Sequence, residues 1–508
     1  MRALISTYDK SGLDAFAREL VALGWRLVAS GNTAAALEAI GLPVEQVEGV
    51  TASPEMLGGR VKTLHPRIHA GILARRDDQE DMATLAQQKI EPFDLVCVNL
   101  YPFASAVSRP DAVEAEAIEM IDIGGPSLLR GAAKNFAHVA AVSSPEQYGS
   151  IVAELRRDGE LSLETRRRLA AEAFATTAAY EAAISRWFSA PQTFPDTLVL
   201  PLQKELELAY GENPHQRGAF YAEHAVRSHL LSRVEQLHGK ELSFNNLNDL
   251  DAARGLIREF ALPACVIVKH ANPCGVAVGA NVEEAYDKAL ACDPTSAYGG
   301  VVVFNRRVEE LLGAKLAEQF VEVLFSPGYD DPALAALQRK QNTRILLDRE
   351  RRRADPEARS YKRVHGGMLV QDPDPELEDR ESWRVVCGTV DEWDDLVFAW
   401  RVCKHVTSNA IVLAKGLATI GIGAGQMSRV DAVRIAVEKA AGFGHDVTGS
   451  ALASDAFFPF PDGPQIALDA GTTAIVQPGG SRRDEDVIAA VEQARAAMVF
   501  TGRRHFRH

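Results

Sequence analysis

The chain has 508 residues, 46% hydrophobic and 24% charged, with a formal net charge of −14. That is an ordinary globular composition, too long for one hydrophobic core, so two or more domains are expected. The acidic balance argues against a general nucleic-acid binder, no apolar stretch approaches the roughly 20 residues of a spanning helix, and MRALISTYDK lacks a secretory cleavage pattern, so a cytoplasmic protein with no nucleic-acid or membrane partner is expected.

Leu4 and Ile5 mark a first strand, Leu13, Phe16, Ala17 and Leu20 recur at helical spacing, and Leu27 and Val28 begin a second strand. The alternation continues through the apolar run 95–98, which predicts a parallel sheet flanked by helices with ligands at the strand ends. A long helix is expected from about residue 163 to 188. The stretch SAPQTFPDTLVLP that follows carries three prolines, which forbid a continuing helix and suit a linker. The boundary is placed near residue 195, giving domains 1–195 and 196–508. Beyond it, residues 265–268, 301–304, 411–414 and 419–422 read as buried strands between helices. No exact internal repeat is visible. The charge run DRERRRADPEA at 348–358 reads as a solvated surface segment. Six scattered cysteines form no CxxC pair and suggest neither a disulfide framework nor structural zinc.

Three polar clusters follow predicted strands: Asp9 to Gly12, Ser30 to Thr33, and Arg60, Lys62, Thr63 and His65. Hydroxyls and backbone N–H groups at strand-to-helix turns are natural phosphate ligands, although each cluster alone would serve as an ordinary helix cap. The strings GGRVKTLHP (58–66), NLYPF (99–103) and IDIGGPSLLRGAAKN (121–135) add paired glycines, cations and an acid. In this order they resemble the cyclohydrolase domain of the bifunctional purine-biosynthesis enzymes. The resemblance implies a methylglyoxal-synthase-like α/β fold, with Lys62, Tyr101, Asp122 and Lys134 catalytic. Asp122 or Tyr101 would handle protons and a lysine would stabilise the oxyanion. It also implies substrate contacts from Lys10, Ser30, Gly31, Thr33, Arg60, Thr63, Gly124, Gly125 and Asn135.

In VIVKHANPCGVAVG (266–279) an apolar strand delivers Lys269 and His270 to a turn, and a cation beside an imidazole at a strand end is a site pattern rather than a core one. Further strings are YGENPHQ (210–216), LSFNNLNDLDAA (242–253), DPTSAYGG (293–300), CKHVTSNAIV (403–412), GIGAGQMSR (421–429) and SDAFFPFPDG (454–463). Together they resemble the folate-dependent transformylase domain of the same family, a duplicated cytidine-deaminase-like fold. That resemblance makes His270 the base, Lys269 its assistant and Asn409 the residue orienting the substrate carboxamide. Substrate contacts would come from Tyr210, Ser296, Gly300, Gln426, Arg429, Phe457, Asp462 and Arg504, with Phe457 and Phe458 equally suited to the core. The co-substrate implied is 10-formyltetrahydrofolate, no metal is implied, and the family analogy points to a homodimer. One departure is Ala209, where the family commonly has an arginine that helps hold substrate phosphate, so another cation is expected to compensate.

Two other classes compete. A zinc deaminase needs an H-x-E or C-x-E motif and a PCxxC motif, but Pro273 and Cys274 are followed by Gly275, Val276 and Ala277, which leaves too few ligands. A non-catalytic nucleotide-binding protein has no need of so many reactive side chains together. A chain with cyclohydrolase activity and an impaired transformylase is the remaining variant of the main reading.

Overall fold

A computed structural model describes the chain except for residues 110, 191, 224–228, 351–358 and 375–379, so most of the charge run expected at 348–358 lies outside the described residues. The chain divides into two compact units, Met1–Gln203 with Ala222–Val226, and Lys204–Tyr221 with Arg227–His508. Among the described residues, no helix is long and apolar enough to cross a membrane.

The first unit is built on five strands, β1 (Arg2–Thr7), β2 (Arg26–Ala29), β3 (Val44–Gln46), β4 (Leu95–Asn99) and β5 (Ala140–Val142), in the order β3-β2-β1-β4-β5. Every pair is parallel. A parallel sheet is covered on both faces, which is why β1 and β4 are apolar runs rather than alternating ones. The helix Leu13–Ala22 buries Leu13, Phe16, Ala17 and Leu20, one stripe at helical period, in the core on one face. Ile68, Ile72, Leu128, Leu129 and Ala132 fill the core on the other. The long helix runs Leu163–Ser189, is capped by Ser162 Oγ accepting from Thr165 N at 3.1 Å, and stops ahead of the proline-bearing stretch. Strand order reverses between β1 and β4. Their carboxyl ends therefore flank the crevice where ligands of open α/β sheets bind.

The other strands are β6 (Leu202–Leu208), β7 (Gly218–Glu223), β8 (Val234–His238), β9 (Ala264–Lys269), β10 (Asn272–Val278), β11 (Val301–Phe304), β12 (Val323–Ser326) and β13 (Arg344–Asp348). Then come β14 (Ser360–Val364), β15 (Gly367–Gln371), β16 (Arg384–Cys387), β17 (Ile411–Lys415), β18 (Ala418–Gly423), β19 (Ala451–Ser454), β20 (Ala474–Gln477) and β21 (Ala497–Phe500). β6 with β7 and β14 with β15 are two-stranded ribbons, and the rest form one sheet of twelve.

That sheet is two copies of one pattern. In the first, β9 and β10 form a hairpin, β9 runs antiparallel to β11, β11 to β13 are parallel, and β8 closes the edge antiparallel to β13. In the second, β17 and β18 form the hairpin, β17 runs antiparallel to β19, β19 to β21 are parallel, and β16 closes the edge. The copies join where β10 meets β18 at Ala277 and Ala418. The duplication extends to details. A Cβ on Gly275 of β10 would lie 1.9 Å from the Ala289 carbonyl oxygen, and one on Gly421 of β18 would lie 2.2 Å from that of Ala436, so in each copy a helix packs directly on bare backbone.

Candidate functional site

The carboxyl ends of the first unit's strands gather most of the expected polar residues. Asn99, ending β4, accepts Tyr8 N at 2.6 Å and Asp9 N at 2.9 Å on Oδ1 and donates Nδ2 to Asp9 O at 2.7 Å, which ties the turn after β1 to β4. Lys10 Nζ donates to Thr7 O and Tyr8 O, both at 3.4 Å. Thr33 is buried, and its hydroxyl both donates to Thr7 O and accepts Thr7 N at 3.1 Å, so it serves the sheet. Ser30 precedes the helix Gly31–Ala39 without a side-chain cap bond. Lys62 pairs with Glu55 at 2.8 Å, and its ammonium would lie 3.0 Å from a Cβ on Gly31. Arg60 pairs with Glu119 on the surface.

The IDIGG segment closes the same region. Asp122 Oδ1 accepts Gly125 N at 2.8 Å at the start of the helix Gly124–Lys134. A Cβ on Gly125 would strike Asp122 Oδ2 at 2.3 Å, and one on Gly124 would meet Thr63 Oγ1 at 2.9 Å, so only bare backbone lets these groups converge. Burial pushes the Asp122 carboxyl above its ordinary range, with the Gly125 and Gly124 N–H groups pulling the other way. Tyr180, 58 residues away, accepts Asp122 N at 2.7 Å and donates to Met120 O at 2.8 Å. Tyr101 follows β4, is 42% exposed, and rests its ring against that of Tyr8.

Two expected residues are not brought here. Lys134 ends the helix that Gly124 begins, roughly 15 Å along its axis at 1.5 Å per residue. Asn135 beside it donates to Ile72 O at 2.7 Å and Ala74 O at 2.9 Å, finishing the helix Pro66–Leu73. Both helices start at the site and end away from it.

In the second unit the turn between β9 and β10 bounds a cavity of 280 Å³ that also meets Asp293, Ser296, Gln426 and Lys439. His270 and Ala271 have φ of 54° and 59°, a left-handed turn that costs energy in residues with side chains. Asp249, on the helix Phe244–Ile257, holds it by accepting His270 N at 3.2 Å and Ala271 N at 2.7 Å. Lys269 Nζ donates to Tyr298 O at 2.7 Å. Asn272 accepts Thr407 N at 2.8 Å, joining the turn to the loop that carries Asn409. The Asn409 amide is held at both ends, Nδ2 donating to Gln426 O at 2.7 Å and Oδ1 accepting from Arg429 at 2.6 Å. Arg429 is itself buried between Ser454, at 2.8 Å, and Asp455.

Asp293 forms the far wall with Lys439 and with Ser296, whose hydroxyl donates to it at 2.7 Å. Burial raises that carboxyl, but Lys439 and Ser296 outweigh it and leave it below its ordinary range. Burial pushes the Cys274 and Cys292 thiols on the same wall up to about 12, so they stay protonated.

The remaining expected residues lie outside the cavity lining. Gly300 is a packing glycine, since a Cβ there would meet Val268 O at 3.0 Å. Phe458 is core at 1% exposure, whereas Phe457 is 40% exposed. Asp462 is exposed at the start of the helix Asp462–Asp469, and Arg504 lies over the Phe506 ring. Tyr210 O accepts Phe244 N at 3.1 Å, and the adjacent Ala209 N donates to Leu242 O at 2.9 Å. Asp249, Tyr180, Asn99, Asp455 and the Asp293–Lys439 pair were not singled out by sequence. Asp249, Asn99, Asp293 and Asp455 sit inside motif strings among other polar residues that draw attention first, and Tyr180 and Lys439 lie outside the strings.

Comparison with known proteins places these features in context. A family model described as "AICARFT/IMPCHase bienzyme" matches residues 132–439, and one described as "MGS-like domain" matches residues 12–127. "Bifunctional purine biosynthesis protein PurH" of Anoxybacillus flavithermus is 49% identical over 514 residues, covering 100% of this chain and 99% of its own. The protein of the same name from Rhodopirellula baltica is 51% identical over 520 residues, covering 100% and 98%. A crystal structure of ForH is 37% identical over 38% of this chain and 98% of its own, with a TM-score of 0.34.

Proposed function

The chain belongs to the AICARFT/IMPCHase bienzyme family, and from that membership we propose how its two sites divide the work. It is a bifunctional enzyme of the last two steps of IMP synthesis: formylation of aminoimidazole carboxamide ribonucleotide, then closure of the product to IMP. In our reading the formyl donor is 10-formyltetrahydrofolate and the enzyme is a cytoplasmic homodimer.

Formyl transfer takes place at the β9–β10 turn. The substrate amine attacks the formyl carbon, the bond from that carbon to folate N10 breaks, His270 takes the amine proton, and N10 receives one as tetrahydrofolate leaves. Lys269 stabilises charge on the transferring oxygen, and Asn409, its amide fixed by Gln426 and Arg429, orients the carboxamide. The observation that carries this assignment is the left-handed turn, held by Asp249, that presents His270 at a cavity.

Ring closure takes place at the β1–β4 crevice. The carboxamide nitrogen attacks the formyl carbon, Asp122 or Tyr101 relays its proton to the former carbonyl oxygen, and that oxygen takes a second proton from the formamide nitrogen and leaves as water while the ring C=N bond forms. Gly124, Gly125 and Lys62 line the region where that oxygen gains charge. Thr63, Lys10 and the Ser30–Gly31 turn suit the ribose phosphate. Our reading assigns Lys134, at the far end of the helix that Gly124 begins, no step in closure.

The test supplies aminoimidazole carboxamide ribonucleotide and 10-formyltetrahydrofolate and follows tetrahydrofolate and IMP separately. His270→Ala should stop tetrahydrofolate release while sparing closure of added formyl intermediate, and Asp122→Asn should do the reverse. Loss of both activities in either variant would refute the division.

A further inference from the structure

Tyr8 stands at the end of β1 and Tyr101 beyond the end of β4, the neighbouring strands between which sheet order reverses, with Thr7 opposite Asn99 in register. Both side chains are exposed, Tyr8 by 50% and Tyr101 by 42%, yet they do not point apart: their ring centroids are 5.4 Å apart, tilted by 59°. That is the separation of a favourable tilted aromatic pair. Tyr101's side chain makes no hydrogen bond among the described residues, so its ring contact with Tyr8 restrains a side chain that would otherwise sample several rotamers. Tyr8 is the better anchored of the two. Its N–H is bound by Asn99, on the strand that launches Tyr101, and the same amide returns a bond to Asp9 O.

We propose that Tyr8 is a positioning residue for ring closure, holding the Tyr101 ring over the crevice so that its hydroxyl meets the reacting atoms. This rests on Tyr101 handling protons there. Tyr8 acts through its ring face, and its own hydroxyl takes no part. A tilted pair of this kind biases the rotamer equilibrium by roughly two- to tenfold, which sets the size of the effect on rate.

The experiment supplies the formyl intermediate without folate to the full-length enzyme and compares Tyr8→Ala, Tyr8→Phe, Tyr101→Phe and the double variant Tyr8→Ala/Tyr101→Phe. Tyr8→Ala should lower kcat for closure about fivefold with KM within about twofold of the parent, and Tyr8→Phe should restore the rate. In the Tyr101→Phe background, where no hydroxyl remains to position, Tyr8→Ala should cost nothing further. A rise in KM at constant kcat would mean that Tyr8 touches substrate, and full additivity in the double variant would mean that it acts independently of Tyr101; either overturns the proposal. If Tyr101→Phe is slow but Tyr8→Ala is not, the proposal alone fails. If Tyr101→Phe closes the ring at the parent rate, the role given to Tyr101 fails and the proposal falls with it.

Discussion

Replacing Asp249 by alanine should uncouple the two activities. Two consecutive left-handed residues, His270 and Ala271, cost roughly 1–2 kcal/mol each, about 2–4 kcal/mol together. Against this stand two hydrogen bonds to a carboxylate, worth roughly 1.5–3 kcal/mol each, about 3–6 kcal/mol together. The acid thus holds the turn with little to spare, and its loss lets His270 relax. A displacement on the order of 1 Å in a reacting group costs about 10²-fold in rate. Tetrahydrofolate release by Asp249→Ala should fall by about that factor, while closure of added formyl intermediate in the other unit stays at the parent rate. Asp249→Asn, which keeps one acceptor oxygen, should fall between the two. Transformylase activity in Asp249→Ala within about threefold of the parent would refute the idea that this carboxylate fixes the imidazole.

Burial holds the Asp122 carboxyl above its ordinary value of 3.8, so its contribution to stability is full below the unfolded pKa and declines as pH rises through the folded one. Asp122→Asn should therefore melt higher than the parent at pH 7 in calorimetry, with the gap closing as pH falls toward about 4, while ring closure is lost. Gly275→Ala drives a methyl onto the Ala289 carbonyl and should cost about 1–3 kcal/mol in urea unfolding of the second unit, with no comparable loss for Gly442→Ala, where an added Cβ meets no neighbour and the backbone is not left-handed. Arg429→Met leaves Asp455 fully buried without its cation and should destabilise by about 3–5 kcal/mol, partly recovered by adding Asp455→Asn.

Much of the first unit was legible in its sequence. Leu13, Phe16, Ala17 and Leu20 fall on one buried helical stripe, and the apolar residues Leu4 and Ile5 and the run 95–98 lie on central parallel strands. What stayed hidden was mostly distance. IDIGGPSLLRGAAKN reads as one motif, but its last residues leave the site because eleven of its residues are helical and each advances the chain by about 1.5 Å. Tyr180 reaches Asp122 across 58 residues with nothing near either to announce it. In the second unit Lys269 and His270 stand out in sequence because a lysine and an imidazole end an apolar strand, whereas Asp249 does not, since its task is to bind backbone N–H groups that carry no sequence signature. The twofold pattern of the large sheet, which the family resemblance implied, leaves no exact repeat in the residues for a related reason. What the halves share is strand order and close packing, and many different side chains satisfy both.

The second copy of that pattern has its own version of the turn. Between β17 and β18, Gly416 and Leu417 have φ of 64° and 56°, and Asp395 on the helix Trp393–Cys403 accepts their N–H groups at 2.7 Å and 2.6 Å, as Asp249 does for His270 and Ala271. Lys415 precedes Gly416 as Lys269 precedes His270. The acid-braced corner is therefore common to both halves, and the imidazole belongs to one of the two. The chain thus carries a second corner of the same make, in which Gly416 stands at the position that His270 holds in the first.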